Sequence, residues 1–381
     1  MEEQSFAPRS IMERRTFLVS GAVLAQTLAA EAGTPQRDTC KEADAPDVRR
    51  EKSDVMKMRD DGLCSPQAAL MARQLPALAC VHGGVECPLI KGSRARALLK
   101  RMKGDPSLAI RLESDADAVP HYSTLSPASY GRQAPEEVFN RKRDLDVLQR
   151  LGLCPGDTRR ARYLVERLFA RIETMNGICC HDTPGWEGCA AARNGTYERV
   201  RAAGWQELVY HRSTEETCAY RQRNTARIAS DDRLSMRPHH LMCLACGYAG
   251  GANDAPRSND TLYEILQRMR KEPNVPVTLA EGPCEACDCC DGFHPETGRC
   301  VHGGGLIRDY KKDLDCFQKL GLMPGATLPA NELYRLLFER IPSTREVCGY
   351  GDGVTVCEEW RICGDPGGNP GYEASRRAGM P

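Results

Sequence analysis

Residues Asp144–Ile172, DLDVLQRLGLCPGDTRRARYLVERLFARI, align without a gap on Asp313–Ile341, DLDCFQKLGLMPGATLPANELYRLLFERI, and 16 of the 29 positions are identical. Such self-similarity within one chain is typical of a duplicated structural unit. The alignment extends beyond these segments, since Cys179 falls on Cys348. The sequence therefore predicts two tandem copies of one domain of about 140 residues, which is an ordinary domain size.

The repeats divide the chain into predicted segments. We expect a signal peptide at 1–32, a polar linker at 33–62, a degenerate first repeat at 63–204, an inter-repeat segment at 205–234, and a cysteine-rich second repeat at 235–381. In the first repeat only Cys80, Cys179 and Cys189 have counterparts in the second, so it is predicted to be degenerate and mostly structural. Cys64, Cys87 and Cys180 could complete a smaller site there or pair as disulfides.

The first 32 residues have the pattern of an export signal. Arg14-Arg15 precede an apolar run from Phe17 to Ala30, and small residues at Ala30 and Ala32 form a cleavage-site pattern. The run is shorter than the roughly 20 residues that span a bilayer, so no transmembrane segment is expected. The paired arginines resemble a twin-arginine signal, which predicts a periplasmic or otherwise extracytoplasmic protein.

Apolar periodicity predicts a mainly α-helical fold with short strands and Cys/Gly-rich loops, a minor α+β character. Three stripes in the second repeat have helical spacing and are expected to be core: Leu262, Ile265, Leu266, Met269; Ile307, Tyr310, Leu314, Phe317, Leu320; and Leu333, Leu336, Leu337, Ile341. Val275–Leu279 alternates as a strand does. Asp144, Asp146, Asp313 and Asp315 are expected on the solvated surface.

Composition excludes some classes of function. The 52 Lys and Arg residues balance the 52 Asp and Glu residues of the 381-residue chain, which argues against a nucleic-acid partner. Twenty cysteines indicate a metal or disulfide protein. The sequence contains no G-x-S-x-G, P-loop or H-E-x-x-H motif, and no Cys-x-x-Cys-His for c-type haem. No known class of enzyme is indicated.

The cysteine spacing of the second repeat indicates a metal centre. Cys284-x-x-Cys287-x-x-Cys290 has the spacing with which bacterial iron–sulfur loops begin. On a helix, His239, Cys243 and Cys246 would share one face, with His240 beside them. The closing ligand has to come from Cys300 or from the downstream cysteines Cys348, Cys357 and Cys363.

The same segments resemble domain-of-unknown-function family 1284, short prokaryotic proteins that open with RPHHLLC. The resemblance rests on Arg237–Cys243 (RPHHLMC), Glu281–Cys287 (EGPCEAC), and the closing Cys-x-x-Trp-x-x-Cys. It implies iron–sulfur binding, with no established activity, and these candidate ligands: Cys243, Cys284, Cys287, Cys300, Cys348, Cys357 and Cys363. This chain departs from the pattern in its export signal, its extra Cys246, Cys289 and Cys290, and a longer Gly-rich loop.

The expected function is that of an exported iron–sulfur protein in electron transfer or in a redox complex. Zinc is the alternative metal, with Cys284, Cys287, Cys300 and His302 able to supply its four ligands. An export protein with an even number of cysteines also fits a disulfide-stapled binding module without a redox role. A thiol–disulfide oxidoreductase using Cys243 and Cys246 is the remaining alternative.

Overall fold

The computed structural model describes residues 68–116, 135–249, 254–349, 358–360 and 367–380. The predicted signal peptide and linker, with Cys357 and Cys363, lie outside the described residues. The fold is mainly α-helical with minor sheet, as predicted.

The first half of the described chain alternates helices with short strands. Its strands are β1 (Ala68–Met71), β2 (Ala109–Glu113) and β3 (Thr158–Arg160). Its helices are α1 (Gln74–His82), α2 (Gly92–Gly104), α3 (Pro135–Leu151), α4 (Ala161–Arg171) and α5 (Thr196–Ala203), and α6 (Thr214–Ser230) leads into the second half.

The second half contains strands β4 (Leu234–Met236), β5 (Pro276–Leu279), β6 (Phe293–His294), β7 (Arg299–Cys300) and β8 (Thr327–Pro329). Its helices are α7 (Pro238–Tyr248), α8 (Leu262–Lys271), α9 (Leu306–Leu320), α10 (Ala330–Arg340), α11 (Arg345–Cys348) and α12 (Pro370–Ala378). The predicted strand at Val275–Leu279 is confirmed as β5, and the stripes at Leu262 and Leu333 are confirmed as the buried faces of α8 and α10.

Each half has a three-stranded sheet of the same strand directions. In the first, β2 pairs parallel with β1 and antiparallel with β3, with Leu70 opposite Leu112. In the second, β5 pairs parallel with β4 and antiparallel with β8, with Met236 opposite Leu279. Each sheet belongs to its own buried apolar cluster. Helix α1 follows β1, and its N-terminus bonds Asp144 of α3. In the same way α7 follows β4, and its first turn bonds Asp313 of α9.

Helix α9 buries a different face from the one its apolar stripe predicts. Phe317 and Leu320 are buried, but Ile307, Tyr310 and Leu314 are 42–55% exposed, so their prediction as core is wrong. The buried face instead carries Lys312, Asp313 and Cys316. The helix is rotated because Asp313 bonds Arg237 and His239 inside the protein, and hydrophobicity alone does not record that polar contact.

The prediction of solvated carboxylates is also wrong for two of the four. Asp313 and Asp144 are fully buried. Asp144 accepts hydrogen bonds from the backbone N–H and the guanidinium of Arg73 at 2.8 and 2.5 Å. In the second half, Asp313 accepts from the Arg237 guanidinium at 2.6 and 2.8 Å. Burial of these carboxylates is tolerated because each is paired and hydrogen-bonded.

Each half contains a buried tyrosine whose hydroxyl bonds a backbone carbonyl. The Tyr197 hydroxyl donates to the Ile172 carbonyl at 2.9 Å, and the Tyr372 hydroxyl donates to the Ile341 carbonyl at 2.7 Å.

We expect Tyr372→Phe to lower the free energy of unfolding in urea by about 1–2 kcal/mol, because a buried carbonyl loses a donor. Tyr334→Phe is the matched control, since the buried Tyr334 hydroxyl has no hydrogen-bond partner in the described part of the chain. Equal losses in the two variants would contradict this account.

Arginines from the first half hold the cysteine-bearing loop of the second. Arg162 forms an ion pair of 2.8 Å with Asp291 and stacks on Trp205. The fully buried side chain of Arg212 donates to the carbonyls of Asp288 and Cys290 at 2.7 and 2.8 Å. These contacts anchor the loop 280–305 to the first half.

Candidate metal centres

The Cys-x-x-Cys-x-x-Cys segment forms successive tight turns. The backbone N–H of Cys287 bonds the carbonyl of Cys284 at 2.8 Å, and that of Cys290 bonds the carbonyl of Cys287 at 2.9 Å. A 3₁₀-helix at Glu285–Cys287 forms the first turn. Two of the three sulfurs, Cys284 and Cys287, contribute to one side-chain group, whereas Cys290 contributes to another.

The first group, here the buried triad after its buried member Cys284, consists of His240, Cys284 and Cys287, of which His240 and Cys287 are half-buried. Its three candidate ligand atoms lie within 4.8 Å of one another, and His240 Nδ1 lies 3.2 Å from the Cys284 sulfur. Tetrahedral coordination with metal–sulfur and metal–nitrogen bonds of about 2.3 and 2.0 Å places such ligand atoms about 3.5 Å apart. The donor atoms of the buried triad could therefore supply three of the four ligands of one metal ion.

His240 lies in the first turn of α7, and its side chain contacts Cys284 of the cysteine loop. The neighbouring His239 points elsewhere: its Nδ1 lies 2.7 Å from Asp313 Oδ1. Burial lowers the pKa of His240 well below its ordinary value, so the imidazole is neutral and has a nitrogen lone pair for a metal. His239, a predicted ligand, instead helps to fix α9 against α7.

The electrostatics of the buried triad favour one thiolate. The hydrogen bond from the Cys284 thiol lowers the pKa of Cys287 to about 7 against the effect of burial, and the Arg237 guanidinium adds to this shift. Burial raises the pKa of Cys284 well above its ordinary value. A thiolate beside a neutral imidazole is the state that a soft divalent ion requires of its ligands.

The second group, here the exposed triad, consists of Cys290, Asp291 and His302. Their candidate ligand atoms also lie within 4.8 Å of one another, and His302 Nε2 is 3.2 Å from the Cys290 sulfur. The other ring nitrogen, Nδ1, is 2.9 Å from the Cys300 sulfur. Cys300 and Cys290 therefore lie at opposite nitrogens of the imidazole. In metal sites, a group bonded to the nitrogen that does not bind the metal orients the histidine ring, and Cys300 is placed to do this.

The exposed triad is open to solvent. The side chains of His302 and Asp291 are 41% and 51% exposed. Asp291 Oδ2 accepts a hydrogen bond from the Arg162 guanidinium at 2.8 Å, which leaves Oδ1 on the side of Cys290 and His302. Although burial opposes it, the hydrogen bond from Arg162 lowers the pKa of Asp291 and keeps the carboxylate ionised. Sequence reasoning missed Asp291, for which no spacing motif exists.

The structure does not bring all predicted ligands together. Cys243, Cys246 and Cys348 pack against the apolar cluster of the second half and belong to neither triad. Cys218 is disulfide-bonded, whereas Cys284, Cys287, Cys290 and Cys300 are thiols. The residues expected at one centre are thus divided, within the described chain, between two triads and the core.

The comparisons with known proteins give no relative. No protein-family model matches the chain, no curated protein matches its sequence, and no solved structure matches its fold. In the part of the chain that the structure describes, no helix combines the length and the apolar character needed to cross a bilayer.

Proposed function

We propose that this chain is an exported metal-binding protein whose second half holds an iron–sulfur centre for electron transfer or for a redox complex. The observation that carries the proposal is the convergence of His240, Cys284 and Cys287, whose ligand atoms lie within 4.8 Å of one another. Iron is supported by the Cys-x-x-Cys-x-x-Cys spacing and by the burial of Cys284, since clusters need thiolates in a shielded place. The twin-arginine pattern at Arg14-Arg15 supports the export part of the proposal.

Zinc is the second candidate, and a specific observation favours it. Each triad combines one imidazole with one or two thiols, a ligand set typical of zinc sites. In the buried triad, zinc would be held by His240, Cys284 and Cys287 and would act as a structural ion. Zinc is colourless and has no redox chemistry.

We also propose that the two halves are copies of one domain. The support lies in matched contacts: β1–β2–β3 and β4–β5–β8 have the same order and directions. The buried carboxylates Asp144 and Asp313 accept from the backbone N–H at the start of α1 and of α7, at 2.8 and 3.3 Å. Unrelated domains have no reason to share such long-range pairs at aligned positions.

The metal proposal is tested on full-length protein purified without air. We expect stoichiometric iron with acid-labile sulfide and visible absorption, and we expect Cys284→Ala or Cys287→Ala to remove the metal held by the buried triad. Cys289→Ala is the matched control, because Cys289 lies in the same loop, is fully buried, and belongs to neither triad. Far-UV circular dichroism checks that each variant folds.

The outcomes separate the alternatives. Stoichiometric zinc without iron or sulfide would replace the iron assignment with the zinc one. Wild-type protein with neither metal would overturn metal binding and favour a disulfide-stapled module. Metal-free thiols that reduce a model disulfide would favour the oxidoreductase.

A further inference from the structure

A pocket in the first half is lined by four cysteines, here the four-cysteine pocket: Cys80, Cys87, Cys179 and Cys189. All four are thiols. The cavity volume inside this pocket is about 20 Å³, and the pocket opens to solvent. Most of the remaining wall is aliphatic, including Val85 and Leu89. Four thiols on the wall of one pocket match the number of cysteine ligands that an iron–sulfur cluster takes.

The four sulfurs come from two distant segments of the chain. Cys80 lies on α1 and Cys87 in the loop that follows it, whereas Cys179 and Cys189 lie in the loop after α4. The loop after α4 is closed on itself by a local bond, since the Cys189 N–H donates to the Cys179 carbonyl at 2.9 Å. The backbone N–H of Ile90 donates to the Cys87 carbonyl at 3.3 Å, which forms a turn at Cys87.

A buried cation faces this pocket. Arg143 is 6% exposed and lines the pocket, its Nε has no hydrogen-bond partner, and it forms no ion pair with a carboxylate among the described residues. Its guanidinium bonds only Asn140 Oδ1 and the Cys179 carbonyl, and lies over the Phe139 ring. An uncompensated buried charge is strongly destabilising, so the site calls for an anion next to Arg143. Four thiolates around iron supply that negative charge.

The spread of the sulfurs distinguishes a cluster from a single ion. A tetrahedral zinc ion needs sulfurs about 3.8 Å apart. Among the described residues, no three of these cysteines form a group whose sulfurs all lie within 4.8 Å of one another. The four cysteines thus line one pocket without three of their sulfurs converging on a point, and a multi-iron cluster bound by four cysteines is larger than a single ion.

We propose that the four-cysteine pocket binds a four-iron iron–sulfur cluster. This site shares no residue with either triad and does not depend on the function proposed for the second half. It also changes the role of the first half, which the sequence predicted to be degenerate and mostly structural. On this proposal the first half is a cofactor-binding domain in its own right.

The test uses the full-length chain, reconstituted without air with ferrous iron and sulfide. In a Cys284→Ala/Cys287→Ala background, we expect about four iron and four sulfide ions per chain to remain, with the absorption of a cluster. Adding Cys80→Ala and Cys87→Ala should remove at least nine-tenths of that iron. Cys180→Ala is the matched control, because the buried Cys180 adjoins Cys179 but does not line the pocket; it should retain the iron.

Each result decides the proposal separately from the second-half centre. Loss of all iron in the Cys284→Ala/Cys287→Ala background, with folding retained, would overturn the first-half site. If iron is lost only when Cys80 and Cys87 are replaced, the result supports the first-half site. This holds even if the buried triad binds no metal.

A second measurement uses wild-type protein and needs no variant to fold. Alkylation with iodoacetamide, read by mass spectrometry, should label Cys80, Cys87 and Cys189 at least tenfold more slowly in the reconstituted protein than in the metal-free protein. Cys154, which is exposed and outside the pocket, should be labelled equally in both. Equal labelling of the pocket cysteines, or disulfides between them in protein kept from air, would overturn the proposal.

Discussion

Replacing Asp313 by alanine is expected to lower the free energy of unfolding by about 3–5 kcal/mol, because it leaves a buried guanidinium without its partner. Asp313 is fully buried, and its carboxylate bonds Arg237 through two nitrogens and His239 through Nδ1. Burial raises the pKa of Asp313, and Arg237 opposes that shift. The variant would also release α9 from α7, and with it His240 from the cysteine loop.

Asp315 provides the matched control two residues away. Its carboxylate pairs with Lys311 at 2.6 Å, one helical turn earlier, on the partly exposed side of α9. A surface pair of this kind contributes about 0–1 kcal/mol, so Asp315→Ala should change stability by no more than that. Urea unfolding followed by circular dichroism measures both variants. A loss below about 1 kcal/mol for Asp313→Ala would refute the central role given to this carboxylate.

Gly188→Ala is expected to destabilise the first half by roughly 2–5 kcal/mol, the sum of backbone strain and overpacking. Gly188 has φ +63°, and a Cβ there would overlap the Cys179 carbonyl oxygen and the Phe139 ring. That carbonyl accepts the N–H of Cys189, so the overlap would separate two cysteines of the four-cysteine pocket. We therefore expect the variant to lose the first-half iron as well as stability.

Gly185→Ala isolates the backbone contribution. Gly185 has φ +79°, but nothing lies within 4 Å of a Cβ built there. Its substitution should cost only about 1–2 kcal/mol, the usual penalty of a left-handed residue, and should leave the iron in place. Thermal unfolding and iron analysis of the two variants make the comparison. If Gly185→Ala proved as damaging as Gly188→Ala, the close approach to Cys179 would not be the cause.

Sequence periodicity correctly predicted the buried face of those helices in which that face is apolar. The stripe of α8, from Leu262 to Met269, and that of α10, from Leu333 to Ile341, face the core as expected. The stripe of α9 failed at Ile307, Tyr310 and Leu314. In α9 a buried ion pair selects the face, and the partner residue Arg237 lies 76 positions away.

The sequence identified which cysteines are candidate ligands, but it did not show which of them lie close together in the folded chain. Spacing singled out Cys284, Cys287 and Cys290, and the structure gives the last of them to a different triad. The sequence left open that Cys87 completes a smaller site in the first repeat, but it could not show that Cys80, Cys87, Cys179 and Cys189 line one pocket.

Local order along this chain was enough to reveal the two similar segments at Asp144–Ile172 and Asp313–Ile341, and to predict the mainly helical character, because each depends on residues a few positions apart. Which sulfurs face one another depended on the folded chain. Arg143, Arg162 and Arg212 reach across from other elements to the cysteine loops. Such long-range pairing of buried charge has no periodicity for a sequence to display.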